Sequence, residues 1–424
     1  MLEEILDIRN VQRAFRQVTA NRGAGGIDGM QTDELRDYLN ANWQTLRTDI
    51  LEGNYRPEVV RKVEIPKSGG GRRILGIPTV IDRLIQQAIS QWLSPKYEGG
   101  FSSNSYGFRP GRNAHQAVLK GQEYLNSGYI WIVEMDLDKF FDRVNHDKLM
   151  SLLSLKIKDK RTLKLIRCYL SSGMMENGVV TPRREGTPQG SPLSPLLSNI
   201  ILDELDSTLE ERGHCFVRYA DDCSIYVRSS KSAHRVMDKI AVYLEDRLKL
   251  KVNREKSKVS RPTQSTLLGF SFYKVNKRWK VRIAPKSLVR IKDEIRKQTM
   301  RSRSTPLTSR ILKLEEIIRG WVNYFSIAEA KSYMRGLDEL TRKRLRMNLW
   351  KQWKGVRSRE RNLMKLGVAK LRAFQLANTR KAYCRTANSP ILLTTLNKAY
   401  FSKLGFEGFT NYYYWKTTHQ TKLF

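Results

Sequence analysis

The chain has 424 residues, and its 77 Lys and Arg against 42 Asp and Glu give a formal net charge of +35. Hydrophobic residues make up 40% of the sequence, which is typical of a folded protein and excludes a disordered one. A surface this cationic repels itself unless it meets a polyanion, so nucleic acid is the first partner to consider. An anionic membrane surface is the alternative partner. The sequence contains neither an apolar run of about 18 residues nor a signal peptide, so we expect no membrane-spanning segment and no secretion, and we favour nucleic acid over a membrane as the partner.

The excess charge is concentrated in the last third of the chain. Residues 281–424 carry 32 basic and 9 acidic residues, whereas residues 1–280 keep most of the acids. The four cysteines are dispersed and form no Cys-x-x-Cys pair, which argues against a zinc module and against a disulfide framework. We therefore expect a protein of the reducing cytoplasm.

The first half of the chain alternates short strands with helices. A strand pair is predicted over 58–65 and 72–77, joined by a glycine-rich turn, and a helix follows from Asp82. A buried, β-branched strand is predicted over 129–137, and residues 147–170 are predicted to be one helical segment. This alternation indicates an α+β sheet domain.

An acidic hairpin is predicted after a proline-rich loop and an amphipathic helix. The loop is Thr187–Pro195, with three prolines, and the two β-rich runs are 215–219 and 223–227. Asp221 and Asp222 lie between these runs, so they form the tip of the hairpin.

The chain becomes helical and basic after Phe270. Helices are predicted at about 286–300, 308–325 and 331–354. This pattern indicates a basic helical appendage behind the sheet domain.

The carboxylates of the hairpin tip form a candidate metal site. Turn residues need no metal, but turns favour Asp-Gly or Asn-Gly, and two adjacent charges such as Asp221 and Asp222 repel each other without a cation. Glu134, Asp136 and Asp138 alternate and therefore share one face of their strand. Strand and hairpin carboxylates together are a ligand set for two divalent cations about 3.5–4 Å apart in phosphoryl transfer. Mg²⁺ prefers such oxygen ligands.

Several ordered motifs resemble those of the bacterial group II intron reverse transcriptases, also called maturases. The resemblance covers about residues 5–360 and becomes specific because the motifs occur together, in order and at compatible spacing. These motifs are Phe101–Arg112, Met135–Asp142, Thr187–Pro195 and Tyr219–Asp222.

The resemblance implies an α+β right-hand polymerase. Residues 1–280 would form the reverse transcriptase fingers and palm with an N-terminal extension, 281–360 an α-helical thumb (maturase X domain), and 361–424 a small basic C-terminal domain. No Cys/His endonuclease module follows, which resembles the compact, class C-like type.

The same resemblance implies the catalytic residues. Asp136, Asp221 and Asp222 are expected to be both catalytic residues and metal ligands, with the backbone carbonyl of Leu137 as a further ligand. The implied cofactors are two Mg²⁺ ions, and the implied substrates are dNTPs. Such ions can activate the primer's own 3′-hydroxyl, so no protein nucleophile is required.

Three residues are implied to contact the incoming nucleotide. Phe141 matches an aromatic steric gate that excludes a 2′-hydroxyl, the alternative being a core phenylalanine. Lys67 and Arg73 match the grip on the triphosphate, the alternative being solvated charges on an exposed turn.

Two further contacts are implied at the nucleotide and the leaving group. Gln189 resembles the residue that contacts the nucleotide and the templating pair. Lys256 is the candidate that protonates the leaving pyrophosphate, with Lys251 and Lys258 as open alternatives.

Basic residues outside the catalytic motifs are candidates for nucleic-acid contact. Arg109 and Arg112 could contact the template backbone, and the cluster Arg342–Arg346 with Trp350 and Trp353 suits phosphate contact plus stacking. Residues 361–424 carry 11 basic residues and one acidic residue, and by resemblance they bind intron RNA or the DNA target.

The leading interpretation is an RNA-directed DNA polymerase of the bacterial cytosol or nucleoid. It would use an RNA template with a DNA primer, bind group II intron RNA and the DNA target, and assist splicing and retrohoming. One alternative is an RNA-binding splicing cofactor with a vestigial polymerase, against which the intact aspartates argue. Another is a domesticated reverse transcriptase in defence or repair, which the sequence does not distinguish from the protein of a mobile element. The oligomeric state is open.

Overall fold

The computed structural model describes residues 1–66, 70–176 and 178–420, and the predicted nucleotide contact Lys67 lies outside them. The chain divides into two compact units, Met1–Ser265 and Thr266–Phe424. The first mixes helices with two sheets, and the second is a hairpin followed by helices, which confirms the predicted α+β class with a helical C-terminal region. The division at 1–280, 281–360 and 361–424 stays a prediction.

The first unit contains ten helices and eight strands among the described residues. Its helices are α1 (Leu2–Ile5), α2 (Ile8–Ala20), α3 (Leu35–Glu52), α4 (Val80–Glu98), α5 (Ala114–Asn126), α6 (Phe140–Arg143), α7 (His146–Lys156), α8 (Lys160–Ser171), α9 (Ser194–Glu211) and α10 (Ser230–Asp246). Its strands are β1 (Val60–Pro66), β2 (Arg72–Ile77), β3 (Trp131–Met135), β4 (Met174–Glu176), β5 (Val179–Thr181), β6 (Cys215–Tyr219), β7 (Asp222–Val227) and β8 (Lys258–Ser260).

The central sheet has the strand order β6–β7–β3–β8, and each neighbouring pair is antiparallel. Its middle strands are mostly apolar, and Ile132, Val133 and Ile225 are fully buried. Helix α10 packs against β3, β7 and β8, so one face of the sheet is covered. A sheet held this way fixes the backbone at its ends, where the acidic residues lie.

A second sheet has the order β2–β1–β4–β5. The antiparallel pair β1–β2 confirms the predicted strand pair, and β1 pairs in parallel with β4. Helices α2 and α4 pack together and contribute to the same hydrophobic core as the central sheet.

The structure confirms that most of the segment 147–170 is helical, and it divides the segment into two helices, α7 and α8. The helix is interrupted at Asp159, whose side chain accepts hydrogen bonds from the backbone amides of Arg161 and Thr162 and so caps the start of α8. An aspartate at this position satisfies orphan amides of a new helix, so it favours a break.

The second unit begins with a hairpin that the sequence analysis missed. Its strands are β9 (Phe270–Val275) and β10 (Arg278–Ile283), in a stretch where the chain was expected to turn helical. Asn276 and Lys277 both have positive φ, as a two-residue hairpin turn requires. The sequence of β10, RWKVRI, alternates basic and apolar residues, and this alternation was the signal that could have revealed the strand.

The rest of the second unit is helical, as predicted. No described helix of the chain is long and apolar enough to cross a membrane. The helices are α11 (Pro285–Gln298), α12 (Leu307–Phe325), α13 (Lys331–Gln352), α14 (Val356–Lys365), α15 (Lys370–Ala377), α16 (Tyr383–Thr386), α17 (Pro390–Thr395), α18 (Lys398–Lys403) and α19 (Gly408–Gln420).

Two buried acids and one buried arginine join the end of the chain to α12 and α13. Glu315 accepts hydrogen bonds from the amides of residues 407 and 408, and Asp338 accepts from those of residues 409 and 410, so both acids hold the start of α19. Arg346 is buried and donates to the carbonyl of Ala387 at 2.8 Å, and Trp350 is also buried. The expectation that Arg346 and Trp350 contact nucleic acid is therefore wrong, because both belong to the core.

Candidate active site at the end of the central sheet

The hairpin formed by β6 and β7 carries the adjacent aspartates. Tyr219 pairs with Asp222, so the tip is Ala220-Asp221 and Asp222 is the first residue of β7. Ala220 has a φ of 55°, and a Cβ on Gly107 would lie only 2.2 Å from the Ala220 amide nitrogen. Only glycine fits against the tip at that point. The close approach of the 107 backbone therefore fixes the turn.

Asp136 lies beside this hairpin because its strand is the neighbour of β7. Met135 pairs with Cys223, so the register places Asp136 next to Asp222 at the same end of the sheet. The backbone of Asp136 is fixed on both sides, since its amide donates to Ser257 Oγ at 3.0 Å and its carbonyl accepts from Asn253 at 2.8 Å. The structure thus places the backbones of the three predicted aspartates at the same end of the central sheet.

The charges of these carboxylates act on one another. Burial and then the charge of Asp136 raise the pKa of Asp221, against the opposing effect of Arg73. Asp222 is exposed to solvent on one side, but partial burial of its carboxylate raises its pKa. The charges of Asp221, Asp136 and Glu134 raise it further, to about 6. Like charges that raise each other's pKa favour a bound cation at this position.

The donor set fits a hard divalent cation in its chemistry. Asp136, Asp221 and Asp222 supply only oxygen atoms, which Mg²⁺ and similar ions prefer, and a cation relieves the repulsion that raises the two pKa values. Among the described residues, no three His, Cys, Asp or Glu side chains are drawn together closely enough to form a metal-binding group. Leu137 follows Asp136, is buried and forms a β-bridge with Val252, so its backbone is fixed beside the site.

The three candidate lysines lie at different places. Lys256 Nζ is 3.7 Å from Asp136 Oδ2, with its side chain largely exposed. Lys258 Nζ is instead 3.3 Å from Glu134, and Lys251 supplies a backbone carbonyl to the amide of Asp138. Of the three, Lys256 is therefore the one beside an aspartate of the site.

Phe141 and Gln189 line one cavity of about 480 Å³ in the first unit. Phe141 is half-buried against the edge of Phe140, which is itself in the core. The carbonyl of Gln189 accepts a hydrogen bond from Gly76 at 2.9 Å, so its loop is fixed to β2. Arg73 is exposed on the same strand, close enough to Asp221 for its charge to lower the pKa of that carboxyl.

Arg109 does not serve as a template contact. Its side chain is buried, pairs with Glu98 at 2.7 Å and donates to the carbonyl of Ser105 at 2.9 Å. These bonds hold the loop between α4 and α5, the same loop that supplies Gly107. The expectation for Arg109 is therefore wrong, because the guanidinium is used within the fold.

A buried ion pair beneath the hairpin was missed by the sequence analysis. Arg218 in β6 and Asp206 in α9 are almost completely buried and are joined at 2.6 Å. Arg218 also donates to the carbonyl of Ala220 and to Asn199 Oδ1, both at 3.0 Å. Asn199 in turn donates to the carbonyl of Gly107 at 2.9 Å. An arginine inside an otherwise apolar strand was the signal that could have found it.

This fold and this arrangement of aspartates define a reverse transcriptase. The sequence profile of reverse transcriptases (RNA-dependent DNA polymerases) matches residues 65–272, and that of the group II intron maturase-specific domain matches residues 288–367. The chain belongs to the group II intron reverse transcriptases, or maturases. Members of this family use divalent metal ions.

Individual relatives support the assignment. Protein YkfC of Escherichia coli is 33% identical over 286 residues, which are 58% of this chain and 75% of YkfC. The group II intron-encoded protein LtrA of Lactococcus lactis is 39% identical over 194 residues, 46% of this chain and 32% of LtrA. A 91 kDa protein in the cob intron of Schizosaccharomyces pombe is 39% identical over 185 residues, 43% of this chain and 22% of that protein. The chain thus matches less than a third of the length of the last two relatives.

Proposed function

We propose that this protein is an RNA-directed DNA polymerase that extends a DNA primer on an RNA template. In the same proposal it binds group II intron RNA and assists its splicing and its return to a DNA target. The observation that carries the polymerase proposal is that Asp136, Asp221 and Asp222 lie at one end of the central sheet in a chain of this family. The maturase-specific domain at 288–367 supports the proposal for intron RNA.

In this proposal the three aspartates hold two Mg²⁺ ions, with the carbonyl of Leu137 as a further ligand. When bound, these ions lower the pKa of the primer 3′-hydroxyl and neutralise charge on the leaving group. Burial and the charges of neighbouring carboxylates raise the pKa of Asp221 and Asp222, which supports their role as ligands.

The remaining proposed roles belong to residues around the aspartates. Arg73 and Lys67 bind the triphosphate of the incoming dNTP, and Gln189 contacts its base pair with the template. Lys256 donates a proton to the leaving pyrophosphate, and its position beside Asp136 favours it over Lys251 and Lys258. Phe141 excludes ribonucleotides by occupying the space beside the 2′ position of the sugar.

The first test of the proposed function is primer extension by the purified protein. We expect a DNA primer annealed to RNA to be elongated with dNTPs and Mg²⁺, and elongation to stop when EDTA removes the metal. Binding of the primer–template should weaken steeply with salt, because a net charge of +35 implies many phosphate contacts. Intron binding and splicing without elongation would support the cofactor alternative and contradict the polymerase proposal.

A second test concerns sugar selection by Phe141. Phe141→Ala should raise the incorporation of ribonucleotides relative to dNTPs, since the truncated side chain leaves room for a 2′-hydroxyl. Primer–template affinity should not change. Phe108→Ala is the matched control, because Phe108 lines the same cavity but is 52% exposed. Equal discrimination in the parent and in Phe141→Ala would return Phe141 to a packing role.

A further inference from the structure

A second concave surface lies entirely within the unit Thr266–Phe424. It is a cavity of about 420 Å³, where the segment that connects α11 to α12 meets the last turn of α13. Its lining is dominated by cations, joined by hydroxyl groups of the connecting segment such as Ser302 and Ser304. The five cations are Arg301, Arg303, Arg310, Lys351 and Lys354. We call this cavity the basic pocket.

The cations of the basic pocket have no carboxylate partner among the residues that the structure describes. Within the ranges that the structure describes, none of the five forms an ion pair, whereas Arg296 on α11 pairs with Asp293 at 2.6 Å. The pocket therefore concentrates positive charge that backbone carbonyls and one aromatic ring partly satisfy but that no carboxylate among the described residues neutralises. Such an arrangement attracts an anion.

Arg310 gives the pocket a buried guanidinium. Its side chain is 3% exposed and is held by the carbonyls of Gln298 and Arg303, while its Nε has no hydrogen-bond partner in the described part of the chain. Burial, followed by the charges of Arg303 and Arg344, lowers its pKa. A buried cation without a carboxylate is costly, and an anion in the pocket would offset that cost.

The pocket is also built on a fixed backbone. Lys351 Nζ donates to the carbonyl of Arg301 at 2.8 Å, and Asn348 Nδ2 donates to the carbonyl of Thr299 at 3.1 Å. Helix α12 begins at this point after Pro306, and no side chain caps it. The amides of its first turn and the positive end of its dipole add to the attraction for an anion.

We propose that the basic pocket binds one phosphate group of a nucleic-acid strand. Guanidinium groups, hydroxyls and a helix N-terminus are the donors that phosphate oxygens accept from. Arg303 and Lys354 are exposed at the rim, where they reach the neighbouring phosphates of a continuing strand, which favours a phosphodiester over a free phosphate. The pocket lies outside the candidate active site, and only the identity of the strand rests on the proposed function.

The test compares two double variants that remove the same charge. Arg303→Gln with Lys354→Gln alters the rim of the pocket, and Lys286→Gln with Arg290→Gln alters exposed cations on α11. Both pairs are exposed, so both variants should fold, which circular dichroism and thermal unfolding check. Binding is measured with a 5′-hydroxyl RNA oligonucleotide across a salt series, and separately with inorganic phosphate by calorimetry.

We expect the rim variant to bind RNA about tenfold more weakly than the α11 variant, with a salt slope smaller by about two, one for each phosphate contact removed. Equal losses in the two variants would overturn the proposal, because general charge would then explain binding. A second result would also overturn the proposal: the parent binds inorganic phosphate, the rim variant does not, and the two bind RNA equally well. The pocket would then be a site for a free anion. Primer extension by the parent protein is run beside these assays, so that a failure of the polymerase proposal is seen independently.

Discussion

Asp221→Asn together with Asp222→Asn is expected to reduce cDNA synthesis to background while the protein remains folded. The two amides keep the shape of the side chains but remove two negative charges from the end of the central sheet. Asp136 alone cannot hold two divalent cations against their mutual repulsion. The measurement is primer extension on an RNA template at saturating dNTP and Mg²⁺.

Three properties of the same variant should be retained. The hairpin should fold at least as well as in the parent, because the repulsion between the charges of Asp221 and Asp222, which contributes to the raised pKa of Asp222, has been removed. RNA binding and splicing assistance should persist, since they depend on basic surface elsewhere. Asp238→Asn with Asp246→Asn is the matched control: both residues are exposed on α10, and the change in charge is equal.

The outcomes of this experiment separate three interpretations. Synthesis near the parent level in the Asp221 and Asp222 variant would refute the assignment of these residues as metal ligands. Loss of synthesis and splicing together would mean that the pair is structural. Loss of synthesis with splicing retained is the result expected of a bifunctional protein, and it would exclude the vestigial-polymerase alternative.

Local patterns in the sequence predicted the strands and the hairpin that carry the candidate site. The hairpin β6–β7 follows from two β-rich runs around two aspartates, and the apolar run before Asp136 predicts a buried strand. What the sequence could not show is that these strands are neighbours. Strand pairing is a contact between distant segments, so the register that places Asp136 beside Asp222 appears only in the structure.

The roles of the basic residues were harder to predict for a physical reason. Arginine has a long apolar stem and five donors, so it can bind a polyanion at the surface or organise carbonyls inside the fold. Arg109 and Arg346 do the latter, donating to backbone carbonyls while buried. An inference from composition treats every arginine as surface charge. It therefore assigned Arg109 and Arg346 to a nucleic-acid interface to which neither contributes.

The Arg218–Asp206 pair gives the second large expected effect, on stability. Arg218→Met should lower the free energy of unfolding by about 3–5 kcal/mol, because it leaves the carboxylate of Asp206 buried without its partner. Arg254→Met is the control: the Arg254–Glu245 pair has a similar separation of 2.7 Å but is partly exposed, so its loss should cost less than about 1 kcal/mol. Urea denaturation measures both.

A double variant then separates stability from the positioning of the active site. Arg218→Met with Asp206→Leu replaces both charges by apolar side chains, and it should recover most of the lost stability, as buried pairs commonly do. It does not restore the hydrogen bond from Arg218 to the carbonyl of Ala220 that holds the hairpin tip. We therefore expect a stable protein whose cDNA synthesis remains below that of the parent. Full activity in the stable double variant would show that Gly107 and the strand pairing alone fix the turn. If the double variant does not recover stability, the hydrogen bonds through Asn199 also depend on Arg218.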